Sequence, residues 1–325
     1  MKKYKALVVG CGNIGSVFGK PGTKSILSHA QAYVSHPNFT LGGVVDVDPL
    51  KSAAAAKKWK VPVFSSVNDA MRDLTYDVVS ICVSTKEHAA VLRQVIEKSP
   101  KVILLEKPVT NDLKESQKLA DQFKNWDDRI LIHYTRRFMP EFRSLKEKIS
   151  KGEFGAFISG HCYYSKGVLN NGSHAVDLVR FFLGEGHVIS VSSGRVDFSK
   201  EDPTLTFAVG FKPSGVFNLL EADQKFGSIF EIELLFEKRL IRISEIKMSI
   251  EEFALKPSLL WKGKQEWARQ KKTKINFGAA FGFVLDHVAD LAEARAVSLC
   301  SLSEGVHSQR LCAQALKMYQ EANHG

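Results

Sequence analysis

The sequence predicts an α/β fold in its first part, a doubly wound parallel sheet, followed by an α+β domain built on a large, mostly antiparallel open sheet. Three observations predict it. Apolar runs of strand length alternate with helical patterns up to about residue 135, as βαβ units do. A glycine-rich turn, Gly10-Cys11-Gly12-Asn13-Ile14-Gly15, directly follows the first apolar run. Beyond Gly152 the apolar residues recur with period two over long stretches, which marks strands with one buried face.

Strands of the first domain are read at residues 4–9, 41–47, 61–64, 78–83, 102–105 and 130–133, with helices between them at 27–35, 49–59, 67–73, 87–98 and 113–123. Asp48 ahead of Pro49 suits an N-cap followed by a first-turn proline. These elements complete a dinucleotide-binding domain over residues 1–135. In the second domain, 136–325, the alternating runs 204–211, 216–220 and 229–235 read as strands. Helices are expected at 172–183, closed by Gly184, and at 283–296 and 306–322. They belong on one face of the sheet, and the last of them can pack back on the first domain. No internal repeat is seen.

The chain has 325 residues, 44% hydrophobic and 25% charged, ordinary globular usage with room for two cores. Five cysteines, Cys11, Cys82, Cys162, Cys300 and Cys312, show no paired or metal-ligand spacing. An odd count without a framework fits reduced thiols and a cytoplasmic protein, and no metal is expected. The apolar run after Met1-Lys2-Lys3 is too short for a signal sequence and reads as the first strand. No stretch reaches the ~18 apolar residues of a membrane helix. The net charge is +10, but its clusters, Lys57-Lys58, Lys271-Lys272 and the 146–151 stretch interrupted by Glu147, are short. They argue against a nucleic-acid partner and for anionic small molecules such as a pyrophosphate.

The glycine turn is read as opening a helix: Gly10 permits the bend, Gly12 lets backbone N–H groups approach a pyrophosphate, and Gly15 lets helix and strand pack closely. Asn13 and Ile14 complete this cofactor-binding segment. Asp46, ending the second strand, is placed to accept from the adenosine ribose hydroxyls and to repel a 2′-phosphate, favouring NAD over NADP. An exposed turn aspartate is the alternative. The interval from Gly15 to Asp46 exceeds the fingerprint's usual ~20 residues, and residues 19–24 supply the excess. Lys20 and Lys24 there either face the cofactor phosphates or belong to a solvated loop. Ser84, after the fourth strand, joins the cofactor contacts.

Glu106-Lys107-Pro108 ends the fifth strand. Ligands of open α/β sheets bind beyond the carboxyl ends of the strands, so Lys107 stands beside a nicotinamide, able to hold a substrate hydroxyl and stabilise the alkoxide. Pro108 restricts the lysine backbone and is a candidate cis bond. His174 and Asp177 lie three apart on one helical face, with Asn170 four residues earlier. His174 is either the proton shuttle or a structural helix-start histidine.

In order and spacing, Gly10-x-Gly12-x-x-Gly15, Glu106-Lys107-Pro108, Tyr134-Thr135-Arg136-Arg137-Phe138 and Gly172-Ser173-His174-Ala175-Val176-Asp177 resemble the Gfo/Idh/MocA family of sugar and polyol oxidoreductases. The match is read as spanning the whole chain. The resemblance implies an N-terminal Rossmann domain that binds NAD and a C-terminal domain whose open sheet often forms an oligomer interface. It also implies substrates among sugars, nucleotide sugars and inositols. Position by position, Lys107 matches the catalytic lysine and His174 the catalytic histidine, with Glu106 and Pro108 flanking the lysine. Many members carry an aspartate where this chain has Asn170. An amide binds a hydroxyl but does not exchange its proton near neutral pH, which leaves acid–base work to His174 and Lys107.

Tyr134 and Arg136 are candidates to line the substrate site with Lys107, Asn170 and His174. Arg137 can instead hold a domain surface, and Lys166, near Tyr163 and Tyr164, is either an anion contact or a rim lysine. The expected function is hydride transfer between NAD and a hydroxyl or ketone of a sugar, nucleotide sugar or inositol-like polyol. Two other readings stand beside it, an NAD-dependent glycosidase and a non-catalytic regulatory protein that binds NAD and a sugar. Long alternating strands leave an apolar face or edge to cover, which favours a homodimer or homotetramer.

Overall fold

The computed structural model describes residues 3–213 and 215–324, and their contacts divide the chain into two units. One comprises Met1–Met139 with Phe277–His307, the other Pro140–Asn276 with Ser308–Gly325. In the first unit, β1 (Tyr4–Val9), β2 (Phe39–Val45), β3 (Val63–Phe64), β4 (Val78–Ile81), β5 (Val102–Leu105) and β6 (Ile130–Ile132) form a sheet ordered β3-β2-β1-β4-β5-β6. Every neighbouring pair is parallel. Such a sheet is covered on both faces, so its strands read as apolar runs rather than alternations. Ala6, Leu7, Val8, Val78, Val79 and residues 102–105 are all fully buried, each larger aliphatic side chain contributing roughly 1.5–3 kcal/mol.

The helices α1 (His29–Ser35), α2 (Pro49–Trp59), α3 (Val67–Ala70), α4 (His88–Glu97) and α5 (Leu113–Gln122) connect these strands. Most begin at a capping side chain that accepts an otherwise orphaned N–H. Ser28 accepts from Gln31 N, Asp48 from Leu50 N and Lys51 N, Ser66 from Asp69 N, and Asp112 from Glu115 N. The helix Ala280–Ala292, late in the chain, packs Phe281, Val284, Leu285 and Val288 into this same core.

The glycine turn does not open a full helix. It makes one wide turn, Asn13–Val17, and the chain then leaves through a loop until α1. Gly19 and Gly22 have φ of +75° and +77°, and with Pro21 between them the helical path ends. The Gln31 side chain holds this loop, donating to Lys20 O and Ser25 O and accepting from Leu27 N. Lys58 and Trp59 of α2 donate to the Ser16 carbonyl at 3.0 Å each, closing the turn from the other side.

A polar cluster lies buried at the carboxyl ends of β4, β5 and β6. Glu106 Oε1 faces His29 Nε2 at 2.9 Å and His133 Nδ1 at 2.7 Å. His29 Nδ1 is 3.0 Å from Ser80 Oγ, which is 2.7 Å from the Tyr33 hydroxyl. The Phe281 ring packs against both imidazoles, its centroid 5.1 Å from His29 and 4.8 Å from His133. Burial pushes the His29 imidazole below its usual value, against the pull of Glu106. Burial opposes ionisation of Glu106 too, yet the facing imidazoles of His133 and His29 hold its carboxyl well below the usual carboxylate range.

In the second unit, β7 (Phe157–Tyr164), β8 (Gly186–Arg195), β9 (Thr204–Phe211), β10 (Gly215–Glu221), β11 (Phe230–Phe236), β12 (Leu240–Ser244), β13 (Ser249–Pro257) and β14 (Gln265–Lys274) form one sheet, ordered β14-β13-β12-β11-β7-β10-β9-β8. Its neighbours are antiparallel except β7 and β10. Along β11, buried Phe230, Ile232, Leu234 and Phe236 alternate with partly exposed residues. The helices α6 (Pro140–Ser150) and α7 (Ser173–Leu183) pack on each other, and the Tyr164 ring of β7 lies against Gly172 where α7 begins. The opposite face carries a groove of about 550 Å³ lined by His161, Tyr163, Asn218, Glu233, Leu235 and Trp267. Lys271, Lys272 and Lys274 stud the edge strand β14, a charge pattern that discourages edge pairing. Among the described residues, no helix is long and apolar enough to cross a membrane.

A Cβ on Gly15 would sit 2.0 Å from Gly10 O. Gly15→Ala is therefore expected to cost at least roughly 2 kcal/mol, because backbone rather than a side-chain tip must move; an unchanged urea midpoint would contradict this. The second expectation concerns acid. The His29 imidazole and the Glu106 carboxyl both have folded-state values below their unfolded ones, so the unfolded chain binds more protons and stability falls with pH. His29 contributes this loss below about pH 6.5 and Glu106 below about pH 4.3. The melting temperature should drop between pH 7 and pH 5, and equal values at the two would refute it.

Candidate functional site

The order reversal of the first sheet lies between β1 and β4, and doubly wound sheets bind ligands at the carboxyl side of that point. A cavity of about 580 Å³ opens there, lined by Gly10, Gly12, Asp46, Lys51, Cys82 and Ser84 among others. Four of the cofactor candidates thus meet at one place, Gly10, Gly12, Asp46 and Ser84. Gly10 has a φ of +101°, and a Cβ on it would lie 2.5 Å from the Cys82 carbonyl. This fixes the turn against β4.

Gly12 is a different case. Its φ is −71°, which any residue adopts, and a Cβ there would meet nothing within 4 Å. The fold does not require its bareness. Asn13 is exposed and Ile14 half-buried in the turn that follows, whose first N–H groups lack intrahelical partners as at any helix start. Asp46 is pinned by its neighbours: Oδ2 accepts from Cys11 N at 2.7 Å and Oδ1 from Asp48 N at 2.9 Å. A carboxylate has about four acceptor positions, so it keeps capacity for hydroxyl donors. Burial, with the Asp46 charge second, pushes the Cys11 thiol up to about 12, so it stays neutral. A bare glycine, a helical turn and a fixed carboxylate suit a dinucleotide's pyrophosphate and ribose. Lys20 and Lys24 stand exposed in the loop beyond.

Glu106 and Lys107 follow β5, and the Lys107–Pro108 peptide is cis. Lys107 is half-buried, and its N–H donates to Glu106 Oε2 at 3.3 Å. After β6 the candidates separate. Tyr134 is 1% exposed, a core ring rather than an open lining. Arg136 is partly exposed, its guanidinium 5.4 Å from the Phe277 ring centroid. Arg137 is buried and donates to Leu299 O and Glu304 Oε2, binding the 299–304 segment to the end of β6.

In the second unit, Asn170 lies on the turn Gly167–Gly172, ahead of α7. Asp202, nearly buried, holds that turn by accepting from Leu169 N at 2.7 Å and Asn170 N at 2.9 Å. Ser173 Oγ donates to Asn170 O at 3.0 Å. His174 stands partly exposed on the first turn of α7. Asp177 is buried and accepts from the Ser308 hydroxyl, which also receives Arg180. Lys166 has a left-handed backbone, and its N–H donates to Asp197. Tyr164 is fully buried, exchanging hydrogen bonds with the Leu205 backbone, whereas Tyr163 is exposed. Sequence reasoning missed His29, His133 and Asp202. Each acts on a residue far along the chain, so no local spacing betrays it.

Residues 4–134 match the GFO_IDH_MocA model, described as "Oxidoreductase family, NAD-binding Rossmann fold". An inositol 2-dehydrogenase of Corynebacterium glutamicum is 26% identical over 224 residues, 63% of this chain and 66% of that protein. The chain spans between 40% and 66% of the lengths of the first curated relatives it matches. Among solved structures, a putative NADPH-dependent oxidoreductase from Desulfitobacterium hafniense superposes with a TM-score of 0.81 at 14% identity, over 99% of this chain and 97% of that one. A UDP-N-acetylglucosamine 3-dehydrogenase from Acidithiobacillus ferrooxidans gives 0.76 at 18% identity, over 99% of each chain. At these identities the structural likeness speaks for the fold, a parallel Rossmann sheet followed by a larger, mostly antiparallel one. The amino-terminal domain, residues 4–134, belongs to the Gfo/Idh/MocA oxidoreductase family, whose motifs its glycine turn and Glu106-Lys107-Pro108 resemble.

Proposed function

We propose that this protein catalyses hydride transfer between a nicotinamide dinucleotide and a ring hydroxyl or ketone of a polyol, sugar or nucleotide sugar. The observation that carries this reading is the cavity at the carboxyl ends of β1, β2 and β4, where bare Gly12 and fixed Asp46 meet. When bound, the nicotinamide supplies the acceptor or donor of hydride. Gly10, Gly12 and Gly15 with Asn13 and Ile14 shape the pyrophosphate seat, and Asp46 takes the ribose hydroxyls. A second negative charge at the ribose would face Asp46, which favours NAD over NADP.

Lys107, carried past the end of β5, holds the substrate oxygen and stabilises negative charge on it. His174 exchanges the hydroxyl proton, and Asn170 orients the substrate without taking part in proton transfer. Arg136 is a further substrate contact in this reading. An inositol dehydrogenase and a nucleotide-sugar dehydrogenase among the proteins compared support the substrate class. An odd count of five cysteines without a disulfide framework favours the cytoplasm.

The open face of the second sheet exposes Tyr163, Ile189, Leu255 and Trp267, 37–47% accessible each. An exposed patch of this kind is covered by a partner, and we read that partner as a second copy in a dimer or tetramer. Sedimentation of the protein as a monomer at micromolar concentration would remove this reading.

The function is tested by titrating NADH and NADPH through nicotinamide fluorescence and screening inositols, sugars and nucleotide sugars for turnover. Gly12→Ala should leave the unfolding midpoint nearly unchanged but weaken dinucleotide binding at least about tenfold, because its methyl occupies ligand space. Lys107→Met should bind dinucleotide and lose about a hundredfold or more in kcat. Full turnover by Lys107→Met would exclude its assigned role, and absence of dinucleotide binding by the unmodified protein would exclude the function.

A further inference from the structure

Glu106 is a carboxylate only 13% exposed whose charged or chargeable partners, among the described residues, are two imidazoles and no lysine or arginine. The hydrogen bonds around it fix where the protons lie. Oε1 accepts from both His29 Nε2 and His133 Nδ1, so each imidazole donates one N–H to it. His29 Nδ1 is then an acceptor for the Ser80 hydroxyl, and Ser80 accepts in turn from Tyr33. At the other end, Thr135 Oγ1 lies 3.3 Å from His133 Nε2 and can donate to it. Both imidazoles are spent on Oε1, and a carboxylate largely withdrawn from water gains from any further positive charge brought near it.

Topology indicates what would bring such a charge. Asp46 ends β2 and Glu106 ends β5, three strand spacings apart in the order β2-β1-β4-β5, about 14 Å at the usual interstrand distance. A dinucleotide with its adenosine ribose on Asp46 and its pyrophosphate on the glycine turn would run along the sheet's carboxyl edge toward Glu106. The oxidised nicotinamide ring is a cation and the reduced ring is neutral. A fixed negative charge beside the ring would discriminate between them.

We propose that Glu106, held in place by His29 and His133, binds the oxidised nicotinamide dinucleotide in preference to the reduced form and so tilts the bound equilibrium toward reduction of the substrate ketone. The inference rests on the dinucleotide reading of the cavity. Whatever binds the oxidised form more tightly makes the bound reduced form a stronger hydride donor than it is in solution, by linkage. The electron pair passes with the hydride to the carbonyl carbon, the carbonyl oxygen takes a proton, and the ring left behind carries the positive charge opposite Glu106. His29 and His133 act as positioning residues: they occupy Oε1 and leave Oε2 turned toward the Lys107 N–H.

The test measures the dissociation constants of NAD+ and NADH, by calorimetry and by nicotinamide fluorescence, for the unmodified protein, Glu106→Gln, Glu106→Asp and His133→Asn. The unmodified protein should favour NAD+ over NADH by more than Glu106→Gln does, with the ratio falling about tenfold on loss of the charge. Glu106→Asp should keep most of the ratio, and His133→Asn should lie between. A structural role alone moves both affinities together and leaves the ratio unaltered, and that result overturns the proposal. If Glu106→Gln does not fold, His133→Asn carries the comparison, and an unchanged ratio there overturns it as well. Failure of the unmodified protein to bind either dinucleotide removes the cavity reading itself, a result distinguishable from binding of both forms with equal affinity.

Discussion

The glycine turn passes so close to the end of β4 that no side-chain carbon fits between them, and the layout of the cofactor cavity depends on that closeness. A Cβ on Gly10 would meet the Cys82 carbonyl, and one on Gly15 would meet Gly10 O. Because both are absent, β1 and β4 lie side by side to their last residues, and the sheet reverses its strand order at this point. The cavity opens above the reversal because the connections from β1 and β4 run to opposite sides. Asp46 then ties the next strand to the same turn by accepting the Cys11 N–H.

Carboxylates accepting backbone or imidazole N–H groups do similar work elsewhere. Asp202 holds the turn that carries Asn170 from 32 residues away, and Glu106 is bound to His29 across 77 residues. An irregular segment has backbone donors that no helix or strand satisfies, and a buried anion satisfies two of them at once. The candidate residues Asp46, Asn170 and Glu106 therefore stand on segments whose shape is set by distant side chains. A substitution at such a support acts on the site without touching a ligand.

Much of the first unit was legible because its strands are buried on both faces and its helices begin at caps. The strands at Tyr4–Val9 and Val102–Leu105 and the helix Pro49–Trp59 have the bounds read from pattern alone, since apolar runs, Asp48 and Pro49 are local signals. The helix after the glycine turn was misjudged because Gly19 and Gly22 adopt positive φ in a loop whose shape Gln31 dictates. In the second unit, alternation revealed β9 to within its ends. Strands β12 to β14 were not singled out, because charged residues such as Arg242, Glu251 and Lys271 interrupt their apolar pattern.

The amino-acid sequence by itself determined the fold class, the glycine turn after β1, Asp46 at the end of β2 and Lys107 at the end of β5. Each of these follows from short-range chemistry: steric freedom at glycine, the periodicity of burial, and the rule that strand ends meet ligands. Only the tertiary structure decided that Gly10 and Gly15 are bare for the fold's sake and that Gly12 is not. It also decided that Tyr134 and Arg137 are core residues and that Glu106 sits between two histidines. Those facts are contacts between residues tens of positions apart, and periodicity carries no information about which distant side chain will occupy the space beside a given atom.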